Sequence, residues 1–284
     1  MQLCTSVFAG VTADTSLATN RQIPQSTGTG MMLYREASTW THLIPFFKSF
    51  FQAGFECSTH INNCGKRLDL VSTTKHDQLV LYDFRSLRSF GIATVREGAR
   101  WHLIEQIPGS YDFSSLAPIL DAARELGTEV IFDLFHFGWP DHIDIFSSSF
   151  IESFGSFAKA LTRYLISCGT PTRFLAPVNE ISFLAWAGGD KGFVNPHARG
   201  RGHELKQQLV AAAIRASEVI LQELPGARLI APEPVIYIVG IPTLKEARKK
   251  PGDIVRHSMK LGTCCPGVWL LTSVASRSIL TFLD

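Results

Sequence analysis

The sequence predicts an α/β fold, a parallel sheet with helices outside it, in the form of an incomplete (β/α)8 TIM-barrel with about the first five βα units present. Three observations predict it. Short apolar runs alternate with amphipathic segments of helical length from about Ser49 to Val239. The runs are continuously apolar, as strands covered on both faces are. Each run also ends in residues that are costly to bury, so the polar tips of successive strands gather at one end of the sheet. A doubly wound sheet shares the alternation; polar residues at every strand end favour the cylinder.

The elements follow in order. Phe50–Phe55 is the first strand and ends at Glu56. Asp77–Phe90 is an amphipathic helix, with Leu79, Tyr82, Leu87 and Phe90 near helical spacing. Ile92–Arg96 is the second strand. Ser114 and Ser115 open a helix that runs through Leu126, and Gly127 closes it, a serine and a glycine where helix termini want them. Glu129–Leu134 is the third strand. Phe150–Ile166 is a helix with Phe154, Phe157, Leu161 and Leu165 on one face. Arg173–Val178 is the fourth strand. The helix Glu204–Glu223 carries Leu205, Leu209, Ala212, Val219 and Ile220, and Arg228–Ala231 begins a fifth strand.

Three zones result. Residues 1–48 are Thr/Ser-rich without a sustained period and read as a disordered extension; 49–255 hold the partial barrel; 256–284 form an irregular tail. The 284 residues and 45% hydrophobic content suit one large core, and the net charge of +2 argues for no acidic partner. Lys and Arg are scattered apart from Lys245–Lys250 and Arg199–Arg201, so no nucleic-acid footprint is expected. Cys4, Cys57, Cys64, Cys168, Cys264 and Cys265 lack metal-ligand spacing. They read as reduced thiols, with a Cys57–Cys64 disulfide as the alternative, and neither a metal nor a cofactor is expected. The greasiest stretch, Leu43–Phe55, is interrupted by Lys48 and Gln52 and is too short to span a bilayer. No signal peptide stands out, so the cytoplasm is the expected location and no membrane partner is expected. The oligomeric state is open.

The chemistry lies at the strand ends. Glu56 ends the first; Arg96, Glu97, Arg100, Trp101 and His102 follow the second; Asp133, His136, Trp139 and Asp141 the third; Asn179 and Glu180 the fourth; Glu233 the fifth. Trp101, Trp139 and Trp186 each follow a strand end, and indoles beside carboxylates suit the C–H faces of sugar rings. The plainer readings stand beside these: a buried ion pair for Glu180, a core histidine for His136, core indoles for the tryptophans. The glycine run Gly188–Gly192 lacks the Lys-Ser/Thr ending of a phosphate loop. Proton abstraction beside a carbonyl by Glu180 and His136 would call for a metal or phosphate site, and no such motif is present.

Three segments on successive strands carry a resemblance. TVREGARWHLIE, with Arg96 and Trp101, VIFDLFHFGWP, with His136 and Trp139–Pro140, and FLAPVNEISF, with Asn179–Glu180, resemble the second-, third- and fourth-strand motifs of family-1-type (β-glucosidase-like) glycoside hydrolases. Phe137 stands where that family has Trp. The resemblance implies a retaining β-glycosidase acting on a small carbohydrate or glycoside. Glu180 would be the general acid/base, Asn179 would hold the sugar 2-hydroxyl, and Arg96 would orient the nucleophile. His136 and Glu56 would bind hydroxyls, with Trp139 and Trp186 as walls.

The sequence also departs from that family. Its nucleophile is a Glu at the end of strand seven, whereas about fifty residues follow the start of strand five here and a βα unit takes about thirty. The chain is therefore expected to be truncated and inactive or weakly active, or a carbohydrate-binding remnant. Beyond Val255 no carboxylate occurs until Asp284. Met259–Asp284 is encodable by codons that, read one base earlier, spell YEAWDMLSGRVALDVGGKPEYLDILG, a helix, a Gly-rich turn and a strand. A frameshift shortly before Met259 is the expectation. Sequencing the coding DNA around Lys249–Met259 checks it: the expected codons spell that alternative, and codons that cannot spell it end the idea.

Overall fold

A computed structural model describes residues 46–169 and 173–234. Most of the N-terminal extension and the whole of the tail lie outside the described residues. In chain order the elements are β1 (Gln52–Gly54), α1 (Leu70–Thr73), α2 (His76–Ser89), β2 (Thr94–Gly98) and α3 (Trp101–Ile104). A 3-10 turn (Ser114–Leu116) leads into α4 (Ala117–Leu126), followed by β3 (Glu129–Asp133), α5 (Ser149–Ser167) and β4 (Phe174–Ala176). Then come α6 (Ile181–Leu184), a π-helical turn (Ala185–Asp190), α7 (Gly202–Glu223) and β5 (Arg228–Leu229).

The five strands form one parallel sheet in the order β1-β2-β3-β4-β5. A doubly wound sheet reverses its order at a switch point; this one runs in sequence order, as barrel staves do. The predicted partial (β/α)8 barrel is therefore what the described residues build. Gln52 lies opposite Thr94, Arg96 opposite Ile131, Ile131 opposite Phe174, and Leu175 opposite Leu229.

Alternation along the strands divides the core in two. Val95, Val130, Phe132 and Leu175 belong to the large cluster shared with the helices. Ile131, Phe174, Ala176 and Ile230 form a smaller cluster on the other face, the barrel interior, with Phe47 packed among them. Phe46 and Phe47 lie 5.2 and 4.6 Å from the Phe174 ring, so the chain just before β1 fills the lower end of the cylinder. Aromatic side chains dominate the outer cluster. Trp101 stacks on Phe157 at 5.2 Å and lies beside Phe150 and Phe154, all fully buried. Each such ring contributes roughly 1.5–3 kcal/mol by leaving water. Trp101 is thus a core residue, its indole N–H donated to Glu105 at 2.6 Å.

The helices sit where the periodicity predicts them, with two differences of detail. In α5 and α7 the predicted apolar faces are the buried ones. In α2 only Leu87 of the predicted face is buried: Leu79, Tyr82 and Phe90 are exposed, and the inward face is His76, Val80, Asp83, Phe84 and Leu87. The turn before α4 is capped by Asp112, whose Oδ1 accepts the Ser114 N–H at 2.9 Å, and not by a serine hydroxyl. Gly127 does close α4, in the left-handed conformation at φ 63°.

The reversal on α2 has an electrostatic cause. Glu97 points outward from β2, fully buried, and His76 bridges it to Asp83, with Nε2 3.0 Å from Glu97 Oε1 and Nδ1 2.7 Å from Asp83 Oδ2. Phe55 stacks on the imidazole at 3.8 Å. Once Glu97 is buried, the helix face that supplies its partner must turn inward, and the aromatic residues on the opposite face stay in water. Phe50, Phe51, Leu79, Tyr82 and Phe90 are all exposed. Among the described residues β1 and β5 each pair on one side only, and no helix is long and apolar enough to cross a membrane.

Burial pushes the Glu97 carboxyl above its ordinary range, while Glu97 and Asp83 outweigh burial and raise the His76 imidazole. Both groups bind protons more tightly folded than unfolded, so both contribute stability that falls as pH rises, Glu97 from the ordinary carboxylate range upward and His76 from the ordinary imidazole range upward. Urea denaturation at pH 5 and pH 8 checks this. Glu97→Gln should reduce the loss of stability on going to pH 8 by roughly 1 kcal/mol. An unchanged pH dependence in that variant would contradict the assignment.

Candidate active site

Because the strands are parallel, their carboxyl ends share one mouth, and the polar residues beyond each strand are carried there. Arg96 faces the interior from β2. Its Nε and Nη2 reach Asp133 at the end of β3, at 3.0 Å to Oδ1 and 2.6 Å to Oδ2. Asp133 is fully buried. Burial pushes its carboxyl up, but Arg96 and His136 outweigh that and hold it below the usual carboxylate range. In turn Asp133 more than offsets the effect of burial on Arg96 and raises the guanidinium.

The pair belongs to a closed ring. Arg96 Nη2 also donates to Asn179 Oδ1, which leaves the Asn179 amide nitrogen to donate to His136 Nε2 at 2.9 Å. With Nε2 accepting, Nδ1 carries the ring proton and donates it to Asp133 Oδ2 at 3.1 Å. Each link of the circuit Arg96–Asn179–His136–Asp133 sets a donor against an acceptor, as a favourable buried polar network requires.

Cys57 joins from the loop after β1. Its Sγ is 3.0 Å from His136 Nδ1 and 3.9 Å from Asp133 Oδ2, and burial first, then Asp133, pushes the thiol well up. Gly98 permits this approach, since a Cβ there would lie 2.5 Å from that of Cys57. Cys57, Asp133 and His136 are close enough to hold a metal ion. A metal on Nδ1, however, would displace its proton to Nε2, facing the Asn179 N–H donor, and would sit beside the Arg96 cation. The donor set fits the ring better than it fits a metal.

Glu180 stands at the end of β4 in the left-handed conformation, φ 43° and ψ 59°. Its N–H donates to Pro232 O at 2.9 Å. Burial raises its carboxyl; Glu56 and Asp133 push the same way, against the pull of His136 and Arg96. Glu56 Oε1 lies 3.7 Å from His136 Nε2 and accepts the Ser58 N–H at 3.0 Å. Burial pushes that carboxyl up, but His136, Ser58 and Arg96 together hold it below its usual value.

Of the predicted site residues, Glu56, Arg96, His136, Asn179 and Glu180 are therefore brought into one neighbourhood. Trp139 does not stand open as a stacking wall. It is buried, parallel to Phe135 at 5.8 Å, with its N–H donated to Ile143 O at 3.0 Å, and it supports the loop from within. Trp186 is part-buried in the π-helical turn between Phe183 and Phe193. Glu97 faces α2 and not the mouth. At the rim, burial together with Arg67 and Arg100 pulls the His102 imidazole down to about 4. Asp141 pairs with Arg67.

Sequence reasoning passed over two participants, and it placed a third, Asp133, at the end of its strand without giving it a role, although an acid closing an apolar run is tolerated only if paired. Asn195 ties the mouth loops together: its Oδ1 accepts the Ile61 N–H at 2.7 Å and its Nδ2 donates to Phe137 O at 3.1 Å. Nothing local announced it, nor the contact of Cys57 with His136. Gly188 and Gly189 serve close packing: added Cβ atoms would press on the backbones of Asn195 and Gly202.

No family model matches the sequence, and no curated protein matches it. Solved structures do. The family 1 β-glucosidase from Thermotoga maritima aligns with a TM-score of 0.56 and 16% identity, covering 64% of this chain and 43% of that chain. The β-glucosidase from Thermotoga maritima in complex with deoxynojirimycin gives 0.57 and 16%, with the same coverage. Its complex with glucoimidazole gives 0.56 and 15%, again with that coverage. At such identity the likeness is one of fold, and the chain spans less than half the length of these neighbours.

The ring makes a direct prediction. Asp133→Ala leaves Arg96 as a buried charge without its carboxylate and should cost about 3–5 kcal/mol in urea denaturation. A loss below about 1 kcal/mol would place the pair among exposed ion pairs.

Proposed function

We propose that this chain carries the acid/base half of a retaining O-glycosyl hydrolase site of β-glucosidase type, acting in the cytoplasm on a small glycoside. The observation that carries the reading is Glu180 on its left-handed turn at the end of β4, beside the closed ring that fixes His136 and Asn179. In this reading Glu180, raised by burial, protonates the leaving oxygen and later takes a proton from water. The Asn179 amide, held flat by Arg96 and His136, offers a fixed contact for the sugar 2-hydroxyl. The anionic Glu56 accepts from sugar hydroxyls further in, beside His136, whose two ring nitrogens are held by Asn179 and Asp133. The fold neighbours include complexes with glucoimidazole and deoxynojirimycin, which supports a monosaccharide-sized ligand.

Retention of configuration needs a second carboxyl group roughly 5–5.5 Å away. In the family that the motifs resemble it comes from strand seven, and the described residues comprise five strands. A polypeptide of these 284 residues alone is therefore proposed to bind sugar without efficient turnover.

Calorimetry and an assay test both halves. A methyl β-glycoside should bind with a millimolar dissociation constant, about 4 kcal/mol, and Asn179→Ala should weaken it roughly tenfold. Aryl β-glycosides should not be hydrolysed above background. Absence of binding would remove the sugar assignment, and turnover abolished by Glu180→Gln would overturn the inactivity.

A further inference from the structure

We propose that Glu233 is a positioning residue for Glu180: from the chain just beyond β5, its carboxyl group clamps the turn on which Glu180 stands. The proposal deepens the acid/base reading of Glu180 and rests on it for its functional meaning.

The geometry begins with an awkward backbone. Glu180 occupies the left-handed region, which a residue with a Cβ adopts only where its surroundings impose it, and its own side chain does not cap α6. The turn is held from outside instead. The Glu180 N–H is bound by Pro232 O at 2.9 Å, and the Glu180 carbonyl accepts the Leu184 N–H at 3.0 Å. Two residues on, the Ser182 N–H is shared by both oxygens of Glu233, at 3.2 and 3.3 Å. From α7, Lys206 Nζ donates to Ser182 Oγ at 3.3 Å. The short chain segment Pro232–Glu233 therefore pins the Glu180 turn twice, once through its backbone and once through a carboxyl group.

That carboxyl group is not electrically silent. The charged groups facing it are Glu180, from the end of β4, and Lys206, from α7. Those facing Glu180 are the His136 imidazole, which favours its anion only when protonated, Arg96, which favours it, and Glu56 and Asp133, which oppose it. Burial first, and then the charge of Glu180, push the Glu233 carboxyl up to about 7, against the Ser182 hydrogen bonds and Lys206. The charge of Glu180 therefore bears on the titration of Glu233.

Carbon-13 NMR of the full chain labelled at the glutamate carboxyl carbons tests the electrostatic contact, with resonances assigned from Glu180→Gln and Glu233→Gln. In the parent protein Glu233 should titrate near 7. Glu180→Gln should lower the Glu233 midpoint. Hydrogen exchange at the Ser182 amide tests the clamp. Glu233→Gln, which keeps an acceptor oxygen, should preserve protection, and Glu233→Ala should reduce it at least about tenfold. A residue that merely braced the fold would alter exchange but leave the Glu233 midpoint indifferent to Glu180. That outcome overturns the proposal, as does a Glu233 midpoint in the ordinary carboxylate range or full Ser182 protection in Glu233→Ala. No sugar enters either measurement, so failure of the clamp and failure of the glycoside reading are separately visible.

Discussion

The arrangement of the mouth depends on burying one ion pair inside the sheet. Arg96 and Asp133 come from adjacent parallel strands, and the register that sets Gly98 opposite Asp133 puts Arg96 two residues back along its strand, within reach of the carboxylate. Removing two charges from water is costly and is favourable only when the remaining donors and acceptors are also met. Here they are met by the two side chains that chemistry would require to be still. His136 spends its ring proton on Asp133, and Asn179 is held between Arg96 and His136. The interaction that makes the charges tolerable is the same one that orients the contact groups beside Glu180.

β2 carries a second network on its other face. Arg96 looks inward to Asp133, while the next residue, Glu97, looks outward to His76 and Asp83 on α2. A strand with opposite charges on opposite faces, each with a dedicated partner, is locked in register more firmly than an apolar strand, because a slip of one residue would expose or orphan both. The outer network fixes how α2 lies on the sheet, and the inner one fixes the floor of the mouth.

Much of the architecture was legible because it is written in local pattern. Five apolar runs became five strands, and the faces of α5 and α7 followed from spacing alone. The α2 face was misread because hydropathy counts Tyr82 and Phe90 as core formers and His76 and Asp83 as surface, whereas a buried Glu97, contributed by another strand, reversed the preference. The neighbourhood of Glu56, Arg96, His136, Asn179 and Glu180 was legible from position at strand ends. Trp139 stayed open to two readings because an indole near an acid looks the same in sequence whether it lines an opening or packs beneath it. Cys57 and Asn195 were invisible because their partners lie 79 and 134 residues away along the chain.

The central claim is that the ring holds His136 beside Glu180 with its proton on Nδ1, and it is this arrangement that the proposed sugar site rests on. Nitrogen-15 NMR of the histidine side chains, recorded with and without a monosaccharide, addresses it most directly. The account predicts an Nδ1–H tautomer for His136 in the free protein and a shift of its Nε2 resonance on saturation with methyl β-glucoside. An Nε2–H tautomer, or a His136 signal unmoved by sugar at saturating concentration, would contradict it.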